Sequence, residues 1–113
     1  SSSNPDKLRN TLEQVDKIID RFQSNQLPFQ VEVVANAGGL DLLRDDVSPY
    51  RDRIMSIMQA YDNVSFVACS NSIDNLVKQG KTVPPLISNI KTDMTAVDQI
   101  VKRLQQGWMY VKV

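Results

Sequence analysis

Val64-Ser65-Phe66-Val67-Ala68-Cys69-Ser70-Asn71-Ser72 decides how the rest of this chain is read. Its first five residues are a nearly continuous apolar and β-branched run, the pattern of a short strand covered on both faces. The cluster Ser70-Asn71-Ser72 supplies the side chains that start helices, and the helix it opens is expected to stop at Gly80. Strand, tight turn and helix therefore follow one another, with Cys69 at the carboxyl end of the strand.

Working back from that unit, residues 30–35 hold Val31, Val33 and Val34 and run straight into Asn36-Ala37-Gly38-Gly39, a second buried strand meeting a breaker. Residues 40–44 suit one helical turn. Ser48-Pro49 is a capping residue followed by proline, predicting a helix over residues 49 to about 61 with Ile54, Ile57, Met58 and Tyr61 inward. At the amino end, Asn4-Pro5-Asp6 offers a cap, a proline at the first helical position and an acid in the first turn. Leu8, Leu12, Val15, Ile18, Ile19 and Phe22 then recur at three- and four-residue spacing, so the first element is an amphipathic helix ending near Gln23.

Beyond Gly80, residues 81–88 with Pro84-Pro85 read as irregular and residues 89–92 as a short strand. Thr95 caps a final helix whose Val97, Ile100, Val101 and Leu104 share one face, with Gly107 just past its end. Residues 108–113 are expected to close the chain as a strand, Trp108 and Tyr110 on one face, Met109 and Val111 on the other. Helices alternating with apolar strands predict an α/β fold with a mostly parallel sheet between helix layers.

The length of 113 residues suits one domain, and 42% hydrophobic with 23% charged residues is an ordinary globular mixture. Thirteen basic and thirteen acidic residues cancel, so no net field draws in nucleic acid or an anionic membrane. No apolar run approaches the roughly 20 residues that span a bilayer, and no targeting pattern is visible. A single cysteine makes no internal disulfide, which favours the cytoplasm, the periplasm being the alternative if a signal peptide was removed. The absence of histidine removes the usual general base and every Ser-His or Cys-His pair. Asp41, Asp45 and Asp46 miss the spacing of a calcium loop, and neither a metal nor a cofactor is expected.

The segments from Val31 through Asn36-Ala37-Gly38-Gly39-Leu40-Asp41-Leu42-Leu43-Arg44, Phe66-Val67-Ala68-Cys69-Ser70-Asn71-Ser72, and Gly107-Trp108-Met109-Tyr110-Val111 together resemble DsrE/DsrF-like proteins. The likeness covers nearly the whole chain as a single domain, residues 1–113. It implies a three-layer α/β/α sandwich with a mostly parallel sheet of about four to five strands, assembled into trimers or hexamers. It also implies a persulfide-carrying cysteine, a role that falls on Cys69, with protein partners that donate or accept sulfur. Such proteins open with a strand before the first helix, whereas this chain opens at a helix cap. A missing inner strand would leave buried backbone groups unpaired, so the sequence is expected to be trimmed.

The residues themselves suit that chemistry. Cys69 precedes a helix amino end, where free amides and the helix dipole favour a thiolate over a thiol, and Ser70, Asn71 and Ser72 are placed either to donate to its sulfur or to cap the helix. Asn36, Gly38 and Gly39, after the other strand, suit an anion-binding concavity beside it, or else only a turn needing positive φ. Arg44 offers a cation to a bound anion, or else pairs on the surface with the neighbouring aspartates. Two readings follow: a sulfur carrier of sulfurtransferase type using Cys69, and a non-catalytic module that binds a small anion or serves assembly, its cysteine merely a small buried hydrophobe. Nucleotide hydrolysis ranks last, for want of a phosphate loop.

Overall fold

The computed structural model describes residues 4–109. Helix α1, Pro5–Ser24, starts at Asn4, whose side chain accepts from the amide of Asp6, and buries Leu8, Leu12, Val15 and Ile19. Strand β1, Val31–Ala35, leads into a 3₁₀ segment, Ala37–Leu43, that buries Gly39, Leu40, Leu42 and Leu43. Helix α2, Arg51–Ala60, begins two residues later than the proline suggested, because Ser48 Oγ accepts from the Tyr50 amide and holds Pro49-Tyr50 in a turn. Strand β2, Val64–Ala68, is followed by α3, Ser70–Lys78, and, after an irregular stretch, by α4, Ala96–Gln105.

β1 and β2 pair in parallel, Val31 opposite Val64 through Ala35 opposite Ala68. Parallel neighbours need a crossover, which the 3₁₀ segment and α2 supply. Phe66, Val67 and Ala68 are at most 1% exposed and form the centre of the core with Leu12, Leu43, Ile54 and Ile87. Emptying such a position by Phe66→Ala costs about 3–5 kcal/mol.

The mixed α/β character and the parallel sheet are present, but the sheet has two strands among the described residues, fewer than the four to five expected. Residues 89–92 contribute only a bridge between Lys91 and Val67, in which Lys91 donates to the Phe66 carbonyl and accepts from the Ala68 amide. Asn89 at φ 70° breaks the extended backbone on one side and the turn into α4 ends it on the other. Trp108 does not start a strand: past Gly107 at φ 89°, its amide donates back to the Arg103 carbonyl. Residues 110–113 of the expected closing strand lie outside the described residues.

Helix α4 is the largest departure. Thr95 caps it as expected, accepting from the Asp98 amide, but its buried residues are Ala96 and Gln99. Val97, Val101 and Leu104 face outward at 70%, 46% and 49% exposure. Glu32, a carboxylate inside β1, decides the matter: its Oε1 accepts from Gln99 Nε2 at 2.6 Å and its Oε2 from Arg103 Nε at 3.1 Å and Nη2 at 2.6 Å. A carboxylate side chain only 6% exposed is costly without partners, so the polar stripe of α4 turns inward and the apolar stripe turns out.

Candidate functional site around Cys69

β2 delivers Cys69 to its carboxyl end, where the backbone switches from strand to helix: the Cys69 amide donates to the Ala35 carbonyl, and the Cys69 carbonyl accepts from Ile73 in the first turn of α3. Cys69 is thus the N-cap residue of α3. The chain from Lys91 to Met94 runs beside this corner, held by the Ala68 amide on the Lys91 carbonyl and the Ser70 amide on the Met94 carbonyl. Those two bonds deliver the amino end of α4 to the sulfur, and the Ala96 amide donates to Cys69 Sγ at 3.1 Å. Two helix amino ends converge on one sulfur.

The electrostatics follow from that convergence. Burial to 5% exposure pushes the thiol pKa up, but the Ala96 amide, the Ser72 amide and hydroxyl, and the Asn71 amide outweigh it, leaving the thiol below its ordinary value. Each of these donors improves its bond when the proton leaves, because a thiolate accepts where a thiol does so only weakly. A persulfide anion on the same sulfur would be stabilised by the same kind of donor.

Ser72 has a second contact, its Oγ accepting from the Ala37 amide at 2.9 Å. The loop after β1 is therefore tied to the first turn of α3, and Asn36, Ala37, Ser72 and Cys69 share one end of the sheet. Ser70 lends its amide to Met94, and Asn71 acts through its amide.

The glycines contribute less than their spacing suggested. The Gly39 amide is committed to the Asn36 carbonyl within the 3₁₀ turn. The left-handed backbone falls on Ala37 at φ 49° rather than on Gly38 or Gly39. Asn36 is exposed and makes no side-chain cap, and Gly38 is half-buried. Arg44 turns to Asp46, with bonds of 3.0 and 2.9 Å, and to Asp41 at 3.8 Å, the surface pairing. Among the described residues no three metal-ligating side chains come together, and no helix is long and apolar enough to cross a membrane.

Sequence reasoning missed the Ala96 amide and the anchor at the far end of α4. The cap at Thr95 announced the helix but not what its amino end would face. Glu32 interrupting a valine run, together with Gln99 and Arg103 four residues apart, was the available trace of the anchor.

No protein-family model and no curated protein matches the chain. Among solved structures it is similar to a protein of unknown function, MTH1491 of Methanobacterium thermoautotrophicum, with a TM-score of 0.73 and 24% identity over 93% of this chain and 89% of that one. The likeness is one of fold. It supports the mixed α/β architecture described above.

Proposed function

We propose that this chain is a DsrE/DsrF-like sulfur carrier of sulfurtransferase type in which Cys69 holds sulfur as a persulfide. The observation that carries the reading is the Cys69 sulfur set between the amino ends of α3 and α4, with the Ala96 amide donating to it. The Cys69 thiolate attacks the outer sulfur of a donor persulfide, forming the new S–S bond while the donor's S–S bond breaks and the donor leaves as a thiolate. An acceptor thiolate then attacks that outer sulfur, and Cys69 departs as the thiolate that the amides stabilise. No net oxidant or reductant is consumed, because sulfane sulfur only changes hosts.

Cys69 is 5% exposed, so transfer needs the segment before α4 to move aside and admit a donor. The same low exposure favours a second reading, a non-catalytic small-anion-binding or assembly module whose thiol is structural. The resemblance adds homo-oligomers, a sheet of more strands between two helix layers, and a cytoplasmic setting. Incubation of the folded protein with a persulfide donor, read by intact mass, separates the readings: added sulfur on Cys69 that is absent from C69S supports the carrier. An unlabelled native protein whose thiol labels only after denaturation supports the module.

A further inference from the structure

The Glu32 anchor fixes the rotation of α4 about its axis, and the outward stripe is therefore a built feature of the fold. Val97, Val101 and Leu104 recur at four- and three-residue spacing over about 10 Å of helix, with half-buried Ile100 at their edge. Such a stripe is ordinarily the buried face of a helix pair.

Its borders say what covers it. Asp98 lies near the amino end and Lys102 near the carboxyl end on the same flank of the stripe; both are exposed, and neither joins an ion pair among the described residues. When two copies of one helix meet antiparallel, equal flanks face each other. A two-fold axis beside residues 100 and 101 then sets Val97 against Leu104 of the second copy and Ile100 against its Val101. The same register sets Asp98 close to Lys102 of the second copy, twice over, and opposes the two helix dipoles favourably. An anionic membrane is a poorer occupant, because the exposed charges of the helix cancel and no Lys/Arg-rich face borders the stripe.

We propose that α4 pairs antiparallel with α4 of a second copy of this chain. The contact stands on the exposed face and not on the chemistry of Cys69, and it deepens the homo-assembly part of the reading above. It is two-fold, so it yields a dimer or, with a separate three-fold contact, a hexamer. A ten-residue helix pair is smaller than the roughly 800 Å² per partner of a standard interface, so the association is weak and reversible.

Sedimentation equilibrium of the whole chain, from low micromolar to submillimolar concentration, tests it. The wild type should associate reversibly, and V101D should be monomeric with unchanged circular dichroism. D98K and K102D should each weaken association about tenfold, since both repeat a like-charge contact twice. An equimolar mixture of D98K and K102D should associate as well as wild type, because each copy then meets its complement, and that recovery also shows both variants to be folded. A wild type monomeric throughout overturns the contact and the homo-assembly together. Association unchanged by V101D, or a mixture no stronger than the single variants, overturns this contact alone.

Discussion

Helix α4 is held at its two ends by two different acceptors. At its amino end the Ala96 amide meets the Cys69 sulfur; toward its carboxyl end Arg103, joined by Gln99 one turn earlier, meets the Glu32 carboxylate. The Glu32 end is complete: both carboxylate oxygens are bonded, and the Arg103 guanidinium also stacks on Trp108 at 4.7 Å. Burial pushes the Glu32 pKa up, but Arg103, Gln99 and more distant Lys91 outweigh it, leaving the group below its usual range. The Cys69 end is incomplete in a useful sense, since its donors are backbone amides and a hydroxyl that gain most when the sulfur becomes an anion. One end fixes the helix, and the other offers stabilised charge to a group able to react.

The comparison breaks most visibly at the fixed end. R103M leaves a buried carboxylate without its cation and should cost about 3 kcal/mol in urea unfolding, while R103M/E32Q should recover much of it. A loss no larger than that of an ordinary surface substitution would show that the pair does not hold α4.

Thr95→Ala acts at the other end. Loss of the cap should cost about 1 kcal/mol in the same unfolding curves, and with the amino end of α4 less firmly formed, alkylation of Cys69 should shift to higher pH. Stability loss without that shift would separate the helix end from the sulfur.

The smallest effects are in the pH dependence, and they have the same sign at the two ends. Glu32 is held below its ordinary pKa, so its contribution to stability is present above the unfolded value of about 4.3 and lost as pH falls through the folded value. E32Q should flatten that acid limb. Cys69 is also held below its ordinary value, so wild type should gain stability over C69S as pH rises from the folded toward the unfolded thiol pKa, and keep that gain above it. Thermal melts across pH check both; a C69S difference that shrinks with rising pH would reverse the assignment.

The region around Cys69 was legible because local signals agree there. An apolar run buried on both faces gave β2 to the residue, the Ser/Asn cluster opened α3, and Gly80, at φ 78°, ended it. At the other end of α4 they mislead. Val97, Ile100, Val101 and Leu104 make a convincing inward face until Glu32, 67 residues before Gln99 and 71 before Arg103, claims the polar one. Periodicity says which residues share a face and not which way the face points. The strand expected over residues 89–92 failed for a local reason, the positive φ of Asn89, that asparagine permits but does not announce. Neither the Ala96 contact nor the commitment of Gly39 within its own turn leaves any mark in residue types, since both are made by backbone amides.

The measurement that bears most directly on the central claim is the pH dependence of iodoacetamide alkylation at Cys69 in the native protein, followed by intact mass. A Cys69 set between two helix amino ends should alkylate with a midpoint clearly below the free-thiol value of about 8.5, and S72A should move that midpoint upward. A midpoint at or above the free-thiol value, or no alkylation of the native protein at any pH, would contradict it.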